Sequence, residues 1–157
     1  MRLTRLPLML GAVGFIMLAC SNDSTTAPPT GIPAGVEIFT ATLTGAGERP
    51  TPVTTTATGT AVITVLDHLL SWRVDVVGID SVTLSHIHKG VADSAGGVIV
   101  NFNPAPTGLA FTGNLTTGSL VVNDSVLVLM RAQRAYVNVH TKKNGGGEMR
   151  GQTIKVQ

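Results

Sequence analysis

Beyond residue 35, apolar and polar residues alternate with a period of two, the pattern of strands with one buried face. In Glu37–Leu43, Phe39, Ala41 and Leu43 share one face, and Ile38, Thr40 and Thr42 share the other. In Thr56–Val65, Ala57, Ala61, Ile63 and Val65 oppose Thr56, Thr58, Thr60 and Thr64. Asp67-His68 then makes a tight turn, with His68 as a solvated turn residue. Leu70, Trp72, Val74 and Val76 follow, facing inward against Ser71, Arg73 and Asp75, and the two runs predict the clearest hairpin in the chain. Val82–Lys89 predicts a further strand, followed by a polar loop at Gly90–Gly96. Val98–Phe102 predicts another, stopped by Asn103-Pro104-Ala105-Pro106, and Phe111–Leu115 a short one. Asp124–Gln133 fits a helix capped by Asp124 or Ser125 with Val126, Leu129 and Met130 on one face. The competing reading is a strand through Val126-Leu127-Val128-Leu129. Tyr136–Thr141 and Met149–Val156 close the domain as a hairpin around Lys142–Gly147. Short strands at regular spacing with at most one short helix predict an all-β fold, an antiparallel β-sandwich or flattened Greek-key barrel.

The first 35 residues follow a different logic. Residues 1–19 read as an export signal: Arg2 and Arg5 precede an apolar run, Leu8–Leu18, too short to span a membrane comfortably as a mature helix. The junction Met17-Leu18-Ala19-Cys20 resembles the bacterial lipobox, in which a small residue precedes a lipid-modified cysteine; Met17 stands where leucine is usual. Ordinary signal cleavage is the alternative, but Met17 suits an A-x-A-like site poorly and the sole cysteine falls at the lipobox position. Acyl chains on Cys20 would anchor the chain, each buried methylene adding about 0.8 kcal/mol. With Ser21 next, the expected address is the cell envelope, at the outer membrane or cell surface if the cell is Gram-negative. Residues 20–35 form a Pro/Thr/Ser-rich tether with too little apolar surface to offset ordering entropy, leaving 36–157 as the folded domain. Of eleven basic residues, removal of Arg2 and Arg5 leaves nine against nine acidic ones, so no basic surface for nucleic acid is expected. A single cysteine also excludes an internal disulfide, and stability must come from sheet packing.

Candidate chemistry concentrates in His86-Ile87-His88. If Ile87 faces the core, both imidazoles lie together on the opposite face of the sheet. Tyr136, Asn138 and His140 likewise oppose Val137 and Val139. A closing hairpin that sets His140 against Glu148 also sets Asn138 against Arg150 and Tyr136 against Gln152, with all six pointing outward. A one-residue slip would bury Glu148 and Arg150. Three imidazoles on neighbouring strands can bind zinc or copper, with Glu148 as a carboxylate ligand or orienter. The same residues can instead form a hydrogen-bonded polar cluster that fixes strand register. No Gly-x-Ser-x-Gly, His-Glu-x-x-His or phosphate-binding Gly-Lys-Ser/Thr pattern occurs, and Asp67, Asp75 and Asp80 read as separate turn or surface carboxylates.

Five blocks carry a family resemblance: Leu43-Thr44-Gly45-Ala46-Gly47-Glu48-Arg49-Pro50, Ala57-Thr58-Gly59-Thr60-Ala61, His86-Ile87-His88-Lys89-Gly90, Tyr136-Val137-Asn138-Val139-His140-Thr141 and Gly146-Gly147-Glu148-Met149-Arg150-Gly151-Gln152. Together they resemble the CHRD (chordin-type) domain over Val36–Gln157, most specifically over Tyr136–Gln152. Where that family usually has Ala-His-Ile-His-Gly-Pro, this chain has Ser85-His86-Ile87-His88-Lys89-Gly90. The resemblance implies an exported module. The growth-factor partners of animal chordin belong with cysteine-rich modules that this chain lacks, and they are not carried over. His-x-His on a strand, Asn101-Phe102-Asn103-Pro104 and the later Val137–His140 are also similar to copper/zinc superoxide dismutase. Dismutase chemistry is not expected, because the histidines and aspartate of a bridged two-metal site are missing. The function expected is that of a lipid-anchored, non-enzymatic binding or structural module for an unknown protein or small ligand. The alternative is a zinc- or copper-binding domain centred on His86, His88 and His140.

Overall fold

The computed structural model describes Gly31 and residues 33–157; the predicted export signal, Cys20 and most of the tether lie outside the described residues. The strands are β1 Val36–Thr44, β2 Thr58–Leu66, β3 Leu69–Ile79, β4 Val82–Lys89, β5 Val98–Asn101, β6 Phe111–Val121, β7 Ala135–Thr141, β8 Met149–Gln152 and β9 Ile154–Lys155. A 3-10 turn at Gly45–Gly47 and one helix, α1 Asp124–Arg131, complete the set. The strands pair antiparallel in the order β5-β4-β7-β8-β1-β2-β3-β6, with β9 alongside β1. The all-β expectation with one short helix holds, realised as a single curved sheet.

The predicted inward faces build the core. Phe39 pairs with Ile63, and Ile63 with Trp72; Ala41 pairs with Ala61, and Ala61 with Val74. All six are buried. Leu66 and Leu69 pair across the two-residue turn, where Asp67 takes a φ of 55°. A hairpin this tight needs that left-handed conformation to match the twist of its strands. Ile87, Val137, Val139 and Met149 add the second wall, and α1 contributes Val126, Leu127 and Met130.

The sheet curls until its two ends meet through side chains. Phe102, just past β5, stacks on Trp72 of β3 with ring centroids 4.7 Å apart. Thr116 of β6 donates from Oγ1 to the Phe102 carbonyl at 3.0 Å and accepts the Trp72 Nε1 proton at 3.3 Å. Gly118 makes room for this seam, since a Cβ there would stand 2.5 Å from the Trp72 ring.

Three local expectations are corrected. The strand foreseen at Phe111–Leu115 runs on to Val121, because β3 offers a partner as far as the Leu69–Val121 pair. Tertiary pairing outweighs the weak strand preference of Gly113 and Gly118. The segment from Asp124 is a helix, and its N-cap is Asn123, whose side chain accepts the Val126 amide proton at 3.3 Å, in place of Asp124 or Ser125. The closing strand divides at Thr153, which is buried and donates from both N and Oγ1 to the Ala135 carbonyl at 3.0 and 2.9 Å. Beyond that anchor the chain leaves β7 and pairs Ile154 and Lys155 with β1.

Candidate metal centre

The phase of β4 and β7 is set by what they bury. Ile87, Val137 and Val139 are inaccessible, so the intervening residues project to the opposite side. Across three strands the register reads His88–Tyr136–Gln152 and His86–Asn138–Arg150, with Leu84 beside His140. The expected Tyr136–Gln152 and Asn138–Arg150 pairs are present. The ladder ends at Val139–Met149, where the Glu148 amide donates to the Val139 carbonyl at 2.7 Å.

This face was expected to point outward, and it is covered instead. His86, His88 and His140 are only 7%, 9% and 7% exposed, and Tyr136, Asn138, Glu148 and Arg150 are buried with them. Polar loops form the cover. Gln152 donates from Nε2 to the Gly90 carbonyl and Arg150 from Nη2 to the Val91 carbonyl, each at 2.8 Å. The Gly96 amide donates to the Tyr136 hydroxyl at 3.2 Å. On the other side, the segment after Gly45–Gly47 lowers Glu48 onto Asn138. Period-two alternation separates one side of a sheet from the other and carries no information about a loop that folds over it.

The imidazoles converge. One ring nitrogen from each of His86, His88 and His140 lies within 4.8 Å of the other two. His88 Nδ1 lies 2.9 Å from the Gly96 carbonyl, and His140 Nδ1 lies 3.0 Å from the Gly145 carbonyl. A carbonyl only accepts, so each Nδ1 carries the proton and each Nε2 presents a lone pair. His140 Nε2 is 3.1 Å from His86 Nδ1, which must therefore donate to it. His88 Nε2 is buried without a hydrogen-bond partner. Burial holds all three rings below the usual histidine range, His86 at about 4, with the neighbouring imidazoles adding to the effect at His86. The rings are thus neutral at pH 7, the state a metal requires of them.

Glu148 stands apart from this group. Its carboxylate accepts from Thr141 Oγ1 at 3.0 Å and from Asn144 Nδ2, and it helps line a polar cavity of about 340 Å³ with Thr54, Thr55, Asp80 and Lys143. Burial alone would raise its pKa, but the hydrogen bonds from Asn144, Thr55 and Thr141 hold it below the usual carboxylate range. The Tyr136 ring stacks on His88 at 5.1 Å and carries the Arg150 guanidinium 3.5 Å from its centroid, a cation–π contact.

Glu48 is the site neighbour that periodicity did not disclose. It is 3% exposed, its Oε2 accepts from Asn138 Nδ2 at 3.5 Å, and its Oε1 has no partner. Desolvation pushes its pKa up to about 7 against the pull of Arg150. Its seat depends on Gly147 (φ 140°), where a Cβ would stand 2.6 Å from both carboxylate oxygens. Besides Glu48 Oε1 and His88 Nε2, the unpartnered buried polar atoms among the described residues are Asn138 Oδ1, Arg150 Nη1 and Gln152 Oε1. All five belong to this one polar layer.

In comparisons with known proteins, the sequence profile of the CHRD domain matches residues 39–153, which include the three histidines, Glu48 and Arg150. No curated protein and no solved structure matches the chain.

Proposed function

The chain belongs to the CHRD family, and from that premise we propose that this member is an exported, non-enzymatic module that holds one zinc or copper ion on His86, His88 and His140. One observation carries the reading: three buried ring nitrogens converge within 4.8 Å, and backbone carbonyls hold the proton of two rings on Nδ1, which leaves their lone pairs on Nε2, that of His88 without a partner. Such outer hydrogen bonds orient ligating imidazoles and strengthen them as donors. A purely structural polar cluster accounts for the His86–His140 hydrogen bond. It leaves the lone pair of His88 Nε2 buried and unmatched, at a cost of roughly 1–3 kcal/mol. A metal ion removes that cost.

In the purified full chain, elemental analysis after loading and dialysis is expected to find about one zinc or copper per protein. Changing all three histidines to alanine is expected to weaken binding at least about a hundredfold, beyond the loss seen for outer partners. No stoichiometric metal in the wild type, or unchanged affinity in a triple variant that keeps its β-type circular dichroism, overturns the reading.

The lipobox at Met17-Leu18-Ala19-Cys20 supports an envelope address: lipid on Cys20 anchors the chain and residues 20–35 are its tether. Wild-type protein is expected to incorporate a palmitate analogue and to sediment with membranes, whereas Cys20→Ser is expected in the soluble fraction. A Cys20→Ser protein that stays on the membrane refutes the anchor and leaves the metal centre unaffected.

A further inference from the structure

Resting on the metal reading above, we infer that the three-histidine centre takes a small inorganic anion as its fourth ligand, held by the metal and by Arg150. Three observations lead there. First, among the described residues the converging donors are three imidazoles, with no carboxylate joining them. Zinc at such a centre completes a tetrahedral shell and divalent copper a tetragonal one, and a position without a protein donor is left to water or an outside ligand. Glu148 is engaged by Thr141 and Asn144, and Glu48 by Asn138.

Second, charge must balance. Neutral imidazoles bring none, so a divalent ion would place two positive charges in a site whose ligands are more than nine-tenths buried. Unpaired charge is costly there, and a bound anion removes part of it.

Third, the site has a spare cationic donor. Arg150 is 2% exposed, and its Nη1 is buried without a partner although its Nη2 is bonded to Val91. It belongs to the same cross-strand row as His86, with only Asn138 between them, and it covers the ring that stacks on His88. A guanidinium fork with one free arm is suited to a compact anion. An acceptor left unmatched in the same row, Asn138 Oδ1, favours an anion that can also donate a hydrogen bond, such as hydroxide or hydrogencarbonate.

The test uses the purified full chain loaded with Co(II), whose visible spectrum reports coordination, and azide or hydrogencarbonate as the probe. Saturable movement of the cobalt bands at one anion per metal is expected. Arg150→Gln is expected to weaken the azide affinity about tenfold or more, the loss of one charge-assisted hydrogen bond, with Arg150→Lys falling between. A histidine-dependent cobalt spectrum that no anion alters overturns this inference and leaves the metal reading standing. Failure to bind cobalt through the histidines removes both. An anion affinity unchanged in Arg150→Gln overturns the part given to Arg150.

Discussion

At the scale of single residues, Glu48 sets the clearest energetic consequence. Folding moves its carboxyl from the ordinary carboxylate range up to about 7, chiefly by desolvation. An acid whose pKa rises on folding binds its proton more tightly in the native state. Its favourable contribution is therefore full below about pH 4.5 and disappears as the pH rises through 7. Metal-free Glu48→Gln, which cannot ionise, is expected to gain about 1–3 kcal/mol on the wild type between pH 4 and pH 8, read from urea midpoints. Parallel profiles for the two proteins would contradict this account. Nothing in the Gly-rich stretch Leu43–Pro50 singles Glu48 out, because a turn residue obeys no periodicity and its partner Asn138 lies ninety positions away. The histidines were legible for the opposite reason. Ile87, Val137 and Val139 fix the phase of their strands, and that phase brings His86, His88 and His140 to one side. Glu148 was legible only as far as its place in the closing hairpin, just before β8; its side chain turns toward Thr141 and Asn144.

At the scale of elements, Glu37 ties three of them together. On β1, it accepts from Arg131 at the end of α1 at 3.0 Å and from Lys155 of β9 at 2.9 Å. Those two partners hold its carboxyl down at about 2. The sign is the reverse of that at Glu48: the contribution is present above about pH 4.5 and is lost as the pH falls toward 2. Both cations are more than a third exposed, so screening reduces the effect. Glu37→Gln is expected to cost about 1–2 kcal/mol near neutral pH, with the difference shrinking in high salt and between pH 5 and pH 3. Chemical denaturation at several pH values checks this, and a difference that is constant with pH would refute it. The two outcomes at Asp124–Gln133 were distinguishable only through tertiary structure. Val126, Leu127 and Met130 suit a helix face, whereas the β-branched run suits a strand; the Asn123 cap and a core waiting on one side select the helix.

At the scale of the whole molecule, strand identity was legible and strand order was not. Alternation marks which residues turn inward, but it is silent on the neighbours of β1. That strand lies between β2, next to it in the chain, and β8, more than a hundred residues away. Closure was also hidden, because it runs through Trp72, Thr116 and Phe102 instead of a backbone ladder. That seam has an optical consequence. The chain has one tryptophan and one tyrosine. Trp72 occupies the junction of the sheet ends, and Tyr136 stacks on His88 in the polar layer. Indole emission therefore follows the opening of the seam, and near-ultraviolet tyrosine dichroism follows the histidine layer. Without any added label, one protein carries two separate chromophores that reveal whether these two regions come apart together or in sequence.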